Sequence, residues 1–259
     1  MDKSPKIGLV LGAGSARGYA HIGVLQVLEE NNIPFDFIVG SSMGAMIGGI
    51  YASGTDLRML EKTVCQIDTS IFYDIHVPRL GFMAGKRIVE VLRLLTKKKD
   101  FSELAIPLSV VATDLLSGQR VVLEEGSVAE AIRASISIPG IFNPVRRDDM
   151  VLVDGAVIDR LPVDVAREKG ADVVIAVDVT FGPDRQIEIK NALDVILTSL
   201  DIMQKLHFDL SSSEADIVLQ PKVGRFSSRD FDKADEIIAL GREEAKKKLE
   251  IIKEKIKMI

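Results

Sequence analysis

The sequence predicts an α/β fold of three layers, with helices on both faces of a mainly parallel central sheet. Three observations carry this. Short apolar, β-branched runs recur at strand length: Ile7–Leu11, Phe35–Val39, Leu108–Ala112, Arg120–Leu123, Val151–Val153, Val173–Val179 and Asp216–Leu219. Patterns of helical period separate most of them. Several runs are apolar at every position rather than alternating, so both faces of those strands must be covered.

In chain order, Ile7–Leu11 enters a glycine-rich loop and a helical pattern over Gly18–Asn31. Phe35–Val39 leads through a second glycine turn into a small-residue helix, Ala45–Ser53, and then Asp56–Ile67. Ser70–Lys99 breaks the regularity. It holds Phe72, Tyr73, His76, Pro78, Phe82 and Met83, then an amphipathic helix over Lys86–Thr96 that ends in three lysines. It reads as a packed insertion with a solvated basic helix end, or as a lid or membrane-touching surface. Helices over Val128–Ser135 and Val163–Lys169 follow, the second with Pro162 near its start. Longer patterns cover Asn191–Leu210 and Asp232–Lys257. The stripe Ile237, Leu240, Leu249 and Ile252 predicts that the last helix packs on the domain, its lysines and glutamates forming a solvated face.

A length of 259 residues suits one large α/β domain or two small ones, and nothing in the composition marks a linker. The formal charge of −5 argues against nucleic acid as the main partner. A single cysteine, Cys65, excludes an internal disulfide and fits a reducing compartment. It reads as a buried small side chain on a helix. Met1–Lys6 carries no apolar signal core, and no apolar stretch is long enough to span a bilayer. A soluble cytoplasmic protein is expected, with peripheral membrane contact left open; the sequence leaves the oligomeric state undetermined.

The chemistry centres on Gly40-Ser41-Ser42-Met43-Gly44, a strand, tight turn and helix start that together present a nucleophilic serine. Ser42 would stand at a helix N-terminus, where amide groups and the helix dipole favour developing negative charge. Gly12-Ala13-Gly14-Ser15-Ala16-Arg17-Gly18 offers several amides to one anion. Its spacing is not that of a dinucleotide loop, and the Lys-Ser/Thr of a Walker loop is absent. After neighbouring parallel strands, this loop and Ser42 can face each other, the anion being the oxyanion of an attacked ester. Arg17 would steady the loop or hold a phosphate head group.

Three histidines are candidate bases. His21 lies in an apolar helical setting that suggests packing, and His76 lies in the irregular insertion. His207 with Asp154 would reproduce the order of an α/β-hydrolase triad, but it falls in a helix rather than a loop after a strand. Asp154, at the end of Met150–Asp154 and followed by Gly155-Ala156, is a strand-end carboxylate able to take the hydroxyl proton directly.

These segments, Gly12–Gly18, Gly40–Gly44 and Asp154-Gly155-Ala156, resemble in order the three signatures of the patatin-like phospholipases. Further similar stretches include His21–Leu25, Ala112–Asp114, Ala131–Ser135, Ile138–Phe142 and Gly170–Val177. The likeness covers about residues 6–180, which implies one patatin-like domain over 1–259 with a C-terminal extension over 181–259. It implies a Ser42–Asp154 dyad without histidine, no metal or cofactor, and an oxyanion hole from Gly12, Ala13, Gly14 and Ser15 with the amide of Met43. Arg17 and Gly18 are candidates for head-group contact, and Gly40 and Gly44 form the elbow. Ala13 and Ser15 interrupt the family's glycine run, and Ala156 replaces a common glycine. The expected reaction is hydrolysis of acyl esters of phospholipids or lysophospholipids through an acyl-enzyme. The alternatives are a general carboxylesterase or thioesterase on the same dyad, or an acyl-lipid sensor that turns over poorly.

Overall fold

A computed structural model describes residues 5–67, 81–180, 186–187, 189 and 192–257. Within them, eight strands form one sheet in the order β10-β9-β1-β2-β4-β8-β7, with β5 on the other edge of β4. The strands are β1 (Ile7–Leu11), β2 (Phe37–Ser41), β4 (Leu108–Asp114), β5 (Gln119–Leu123), β7 (Val145–Arg147), β8 (Met150–Asp154), β9 (Val173–Val177) and β10 (Ile217–Leu219). A separate parallel pair joins β3 (Gly81–Met83) to β6 (Gly140–Phe142). The helices are α1 (Ala20–Glu30), α2 (Met43–Ala52), α3 (Leu57–Gln66), α4 (Lys86–Leu95), α5 (Val128–Ser135), α6 (Val163–Glu168), α7 (Ala192–Ser213) and α8 (Ala234–Lys257).

Three layers follow from the pleat. Along β1, Ile7, Leu9 and Leu11 point into one core with α1, α2, α5 and α8, while Val10 joins Phe37, Val39 and Val111 in a second core under α6 and Phe208 of α7. Connections from β1 to β2 and from β2 to β4 use the first face. Those from β8 to β9 and from β9 to β10 use the other; the parallel crossover from β9 to β10 runs the opposite way along the sheet from β1 to β2, and right-handedness then puts it on the opposite face. The reversal lies between β1 and β9, whose following loops are joined by Thr180 Oγ1 donating to the Ala13 carbonyl at 2.6 Å.

One pairing pattern positions the site. β4 pairs in parallel with β2 over Leu108–Val111 and antiparallel with β8 over Ala112–Asp114. Because β5 occupies Val110–Asp114 on the opposite edge, β2 and β8 share one edge of β4. They run toward each other and end against Val111 and Ala112, so Ser41 and Asp154 meet end to end.

One expectation changes. Cys65 is exposed rather than buried. The buried stripe of α3 runs through Leu57 and Leu60, and Cys65 lies round the helix from it. Of the segment Ser70–Lys99, residues 70–80, with His76, lie outside the described residues; the remainder forms β3, α4 and the lysine-rich turn after it.

Candidate active site

Ser42 is the residue between β2 and α2, with φ 55° and ψ −121°. That backbone is strained for a residue with a Cβ, and it lifts the side chain off both strand and helix axes. The neighbourhood holds it there. The Ser42 amide donates to Ser135 Oγ at 2.8 Å, and that hydroxyl in turn donates to the Val111 carbonyl at 2.6 Å. Ser41 Oγ donates to the carbonyl of Asp159 at 2.8 Å. Gly44 lets α2 press on β1: a Cβ there would lie 2.0 Å from the Leu11 carbonyl oxygen. Gly40 sits under the start of α2, against Ala45.

Ser42 Oγ donates to Asp154 Oδ2 at 2.7 Å. The other carboxylate oxygen, Oδ1, accepts the Ala156 amide at 2.8 Å. The Asp154 backbone is fixed by its amide on the Ser137 carbonyl (3.0 Å) and by Thr113 Oγ1 donating to its carbonyl (3.0 Å). Position 155 must be glycine, since a Cβ would stand 2.4 Å from the Val111 carbonyl oxygen. Position 156 contributes its amide to Asp154, which alanine supplies as well as glycine. Burial pushes the Asp154 carboxyl up to about 6, against the hydrogen bonds from Ser42 and Ala156 and the charge of Arg160, which pull it down.

The glycine loop divides by function. The Gly12 amide donates to the Val177 carbonyl at 3.1 Å and the Ala13 amide to the Arg160 carbonyl at 2.9 Å. These two predicted oxyanion donors therefore anchor the loop to β9 and to the segment before α6. Among the described residues, no carbonyl or side chain takes the amides of Gly14, Ser15 or Met43. Ser15 has φ 50°, and its hydroxyl donates to the Ser228 carbonyl at 2.7 Å. His21 is fully buried and shares a 2.8 Å hydrogen bond through Nε2 with the Gly12 carbonyl, and burial lowers it to about 4. A neutral ring donating to that carbonyl braces the loop, in line with the packing role expected of it.

Ser42 lies where two cavities meet. One, of about 1310 Å³ including its mouth, is walled by α2, α3 and α4 with side chains such as Met46, Ile50, Leu60 and Leu92. The other, of about 970 Å³ including its mouth, has a mixed lining that carries the charged side chains of Asp154, Arg17, Arg160, Asp194, Asp201 and Arg225. Arg160 pairs with Asp201 at 2.5 Å and Arg229 with Asp194 at 3.5 Å. Gly18 lines neither cavity; a Cβ on it would run into Met43. His207 belongs to α7, and its side chain lies outside the described residues. The direct Ser42–Asp154 contact leaves no room for an intervening imidazole.

Ser135, Ser137 and Arg160 were not foreseen as site residues. Ser135 and Ser137 stand in and after a helix with nothing local to set them apart. Arg160 lies near Asp154 in sequence, and its charge was the one available signal.

Solved structures share the fold at low identity. VipD from Legionella pneumophila aligns over 96% of this chain and 67% of its own, with TM-score 0.55 and 13% identity. The type III effector ExoU aligns over 96% of this chain and 53% of its own, with TM-score 0.56 and 13% identity. In sequence, an uncharacterized NTE family protein of Mycobacterium bovis is 38% identical over 192 residues, which is 72% of this chain and 53% of that protein. Human patatin-like phospholipase domain-containing protein 6 is 29% identical over 91% of this chain and 20% of its own length. The chain thus spans about half the mycobacterial relative and a fifth of the human one. The patatin-like phospholipase family model matches residues 9–167, from within β1 into α6, and the chain belongs to that family.

Proposed function

We propose that the protein is a serine acyl hydrolase that cleaves fatty-acyl esters of phospholipids or lysophospholipids. One observation carries this: the Ser42 hydroxyl donates to buried Asp154 where an apolar and a charged cavity meet. Asp154 takes the Ser42 proton as Oγ attacks the ester carbonyl. The amides of Gly14, Ser15 and Met43 receive the oxyanion, with the N-terminus of α2 adding its dipole. The tetrahedral intermediate collapses, and the leaving alcohol takes the proton from Asp154. Water then gives a proton to Asp154 and attacks the acyl-enzyme, releasing the fatty acid and restoring Ser42. A carboxyl raised to about 6 suits this work, being ionised at neutral pH yet a stronger base than a free aspartate. The acyl chain takes the apolar cavity, and the polar side of the ester takes the cavity of Arg17 and Arg160.

Intact-mass labelling with a fluorophosphonate tests the dyad. A single adduct is expected on the wild type and on His207→Ala. Ser42→Ala should take none, and Asp154→Asn should react at least ~10³-fold more slowly. Labelling of Ser42→Ala, or its loss in folded His207→Ala, would overturn the reading. Hydrolysis of short soluble esters without any release from lysophospholipid or phospholipid vesicles would move the protein to the general carboxylesterases.

A further inference from the structure

The apolar cavity has a direction and an end. α2 starts at the nucleophile and runs away from it, turning Met43, Met46, Ile47 and Ile50 to the cavity. α3 returns antiparallel, so Ile67 lies near the mouth and Leu60 at depth. α4 runs parallel to α2, with Ile88 toward the mouth and Leu95 at depth. The deep end is tied shut where α2 and α4 finish. Thr55 Oγ1 donates to the Leu95 carbonyl at 2.6 Å, and Lys97 Nζ donates to the Gly54 carbonyl at 2.5 Å. The wall offers no unsatisfied hydroxyl at Thr63, whose Oγ1 bonds back to the Met59 carbonyl at 2.9 Å. Among the described residues, an apolar channel therefore leads from Ser42 toward Ile50, Leu60 and Leu95.

Its length follows from helix geometry. Ile50 lies eight residues beyond Ser42, which at ~1.5 Å per residue is about 12 Å. An extended alkyl chain advances about 1.25 Å per carbon, given its ~1.52 Å bonds at tetrahedral angles, so about ten carbons fill that depth. We propose that Ile50, Leu60 and Leu95 set the acyl-chain length, so that acyl groups of about ten carbons fit fully and longer ones do not. The assignment of this cavity to the acyl group rests on the hydrolase reading above; the depth limit does not.

The test is calorimetric titration of the full chain carrying Ser42→Ala with straight-chain fatty acids of six to sixteen carbons. Affinity should rise about threefold to fourfold per added methylene and break near ten carbons. Adding Leu95→Ala should move the break to longer chains by two or more carbons, and adding Ile50→Phe should move it to shorter ones. An unbroken rise to sixteen carbons, or a break that neither change moves, overturns the proposal. Running the same chain lengths as p-nitrophenyl esters on the wild type separates the two ideas. A movable break in binding without hydrolysis keeps the length limit and removes the hydrolase reading; hydrolysis of short esters with no break does the reverse.

Discussion

The Ser42–Asp154 contact joins a strained nucleophile to a carboxylate whose burial works against its own charge. That conflict predicts two pH effects of opposite sign. Under the proposed mechanism the ionised base is the active form, so kcat/KM for a short ester should rise with pH, reach half its plateau near pH 6 and stay level above neutrality. A half-rise near pH 4 would mean that the carboxyl is not desolvated in solution. Stability runs the other way. The folded-state value of Asp154 stands above its unfolded 3.8, so its contribution is intact below the unfolded value and is lost as pH climbs through about 6. The loss amounts to about 3 kcal/mol above neutrality. Asp154→Asn carries no charge to bury. About half of that loss falls between pH 5 and pH 8, so its melting temperature relative to the wild type should gain roughly 3–6 °C over that interval, even as activity disappears. A gap that stays constant with pH would remove Asp154 as the buried titrating group. Ser42 and Asp154 were legible in the sequence because each is announced by glycines a residue or two away. The split in the glycine loop was not legible: whether Gly12 or Gly14 keeps a usable amide depends on Val177 and Arg160, more than 140 residues downstream.

At the level of elements, the site is braced by α5 and the β3–β6 pair, and Arg133 is the link between them. It is 3% exposed. Its guanidinium donates to Ser137 Oγ at 2.5 Å and to the carbonyls of Ala84 at 3.1 Å and Asn143 at 3.0 Å, with the Phe142 ring 4.9 Å away. The Ser137 carbonyl holds the Asp154 amide, so this cluster reaches the dyad through one residue. Arg133→Met keeps most of the stem but strands two carbonyls in a dry setting. It should cost about 3 kcal/mol and lower the melting temperature by roughly 6–12 °C, with Arg133→Lys recovering only part of it. An unchanged melting temperature in Arg133→Met would show that water satisfies those carbonyls. This is also where sequence reading ended. All seven runs read as strands lie within about two residues of observed strands, because each carries a cluster of apolar, often β-branched residues. β3 (Gly-Phe-Met), β6 (Gly-Ile-Phe) and β7 (Val-Arg-Arg) hold at most one β-branched residue each and show no such cluster, and they were missed. The pairing of β2 and β8 along one edge of β4 joins residues more than a hundred apart, and no local pattern encodes it.

Across the whole molecule, the segment that matches the family model does not by itself close the fold. That match ends at residue 167, before β9, yet β9 pairs with β1 over five residues and carries β10 on its other side. On the outer face the dependence is stronger. Every residue of α1 from Ala20 to Leu28 is buried, although a helix covering a sheet ordinarily leaves one face to water. The cover is α8. Its Gly241 lies so close to α1 that a Cβ would stand 2.0 Å from the Ala20 carbonyl oxygen, and its Arg242 binds Gln26 at 2.5 Å and Glu61 at 2.9 Å. Ile237, Ile238, Ala245 and Ile252 of α8 belong to the same core as Leu9, Ile22 and Leu25. A chain ending at Thr180 would keep Ser42, Asp154 and the glycine loop, but would expose the apolar back of α1 and the open edge of β9 together. An open strand edge beside an uncovered apolar face favours association over folding. Such a truncated protein should be insoluble, or soluble only as aggregates without a cooperative thermal transition, and should take no fluorophosphonate. Recovery of a monomer that melts cooperatively would show that residues 181–259 are an accessory layer rather than a part of the core.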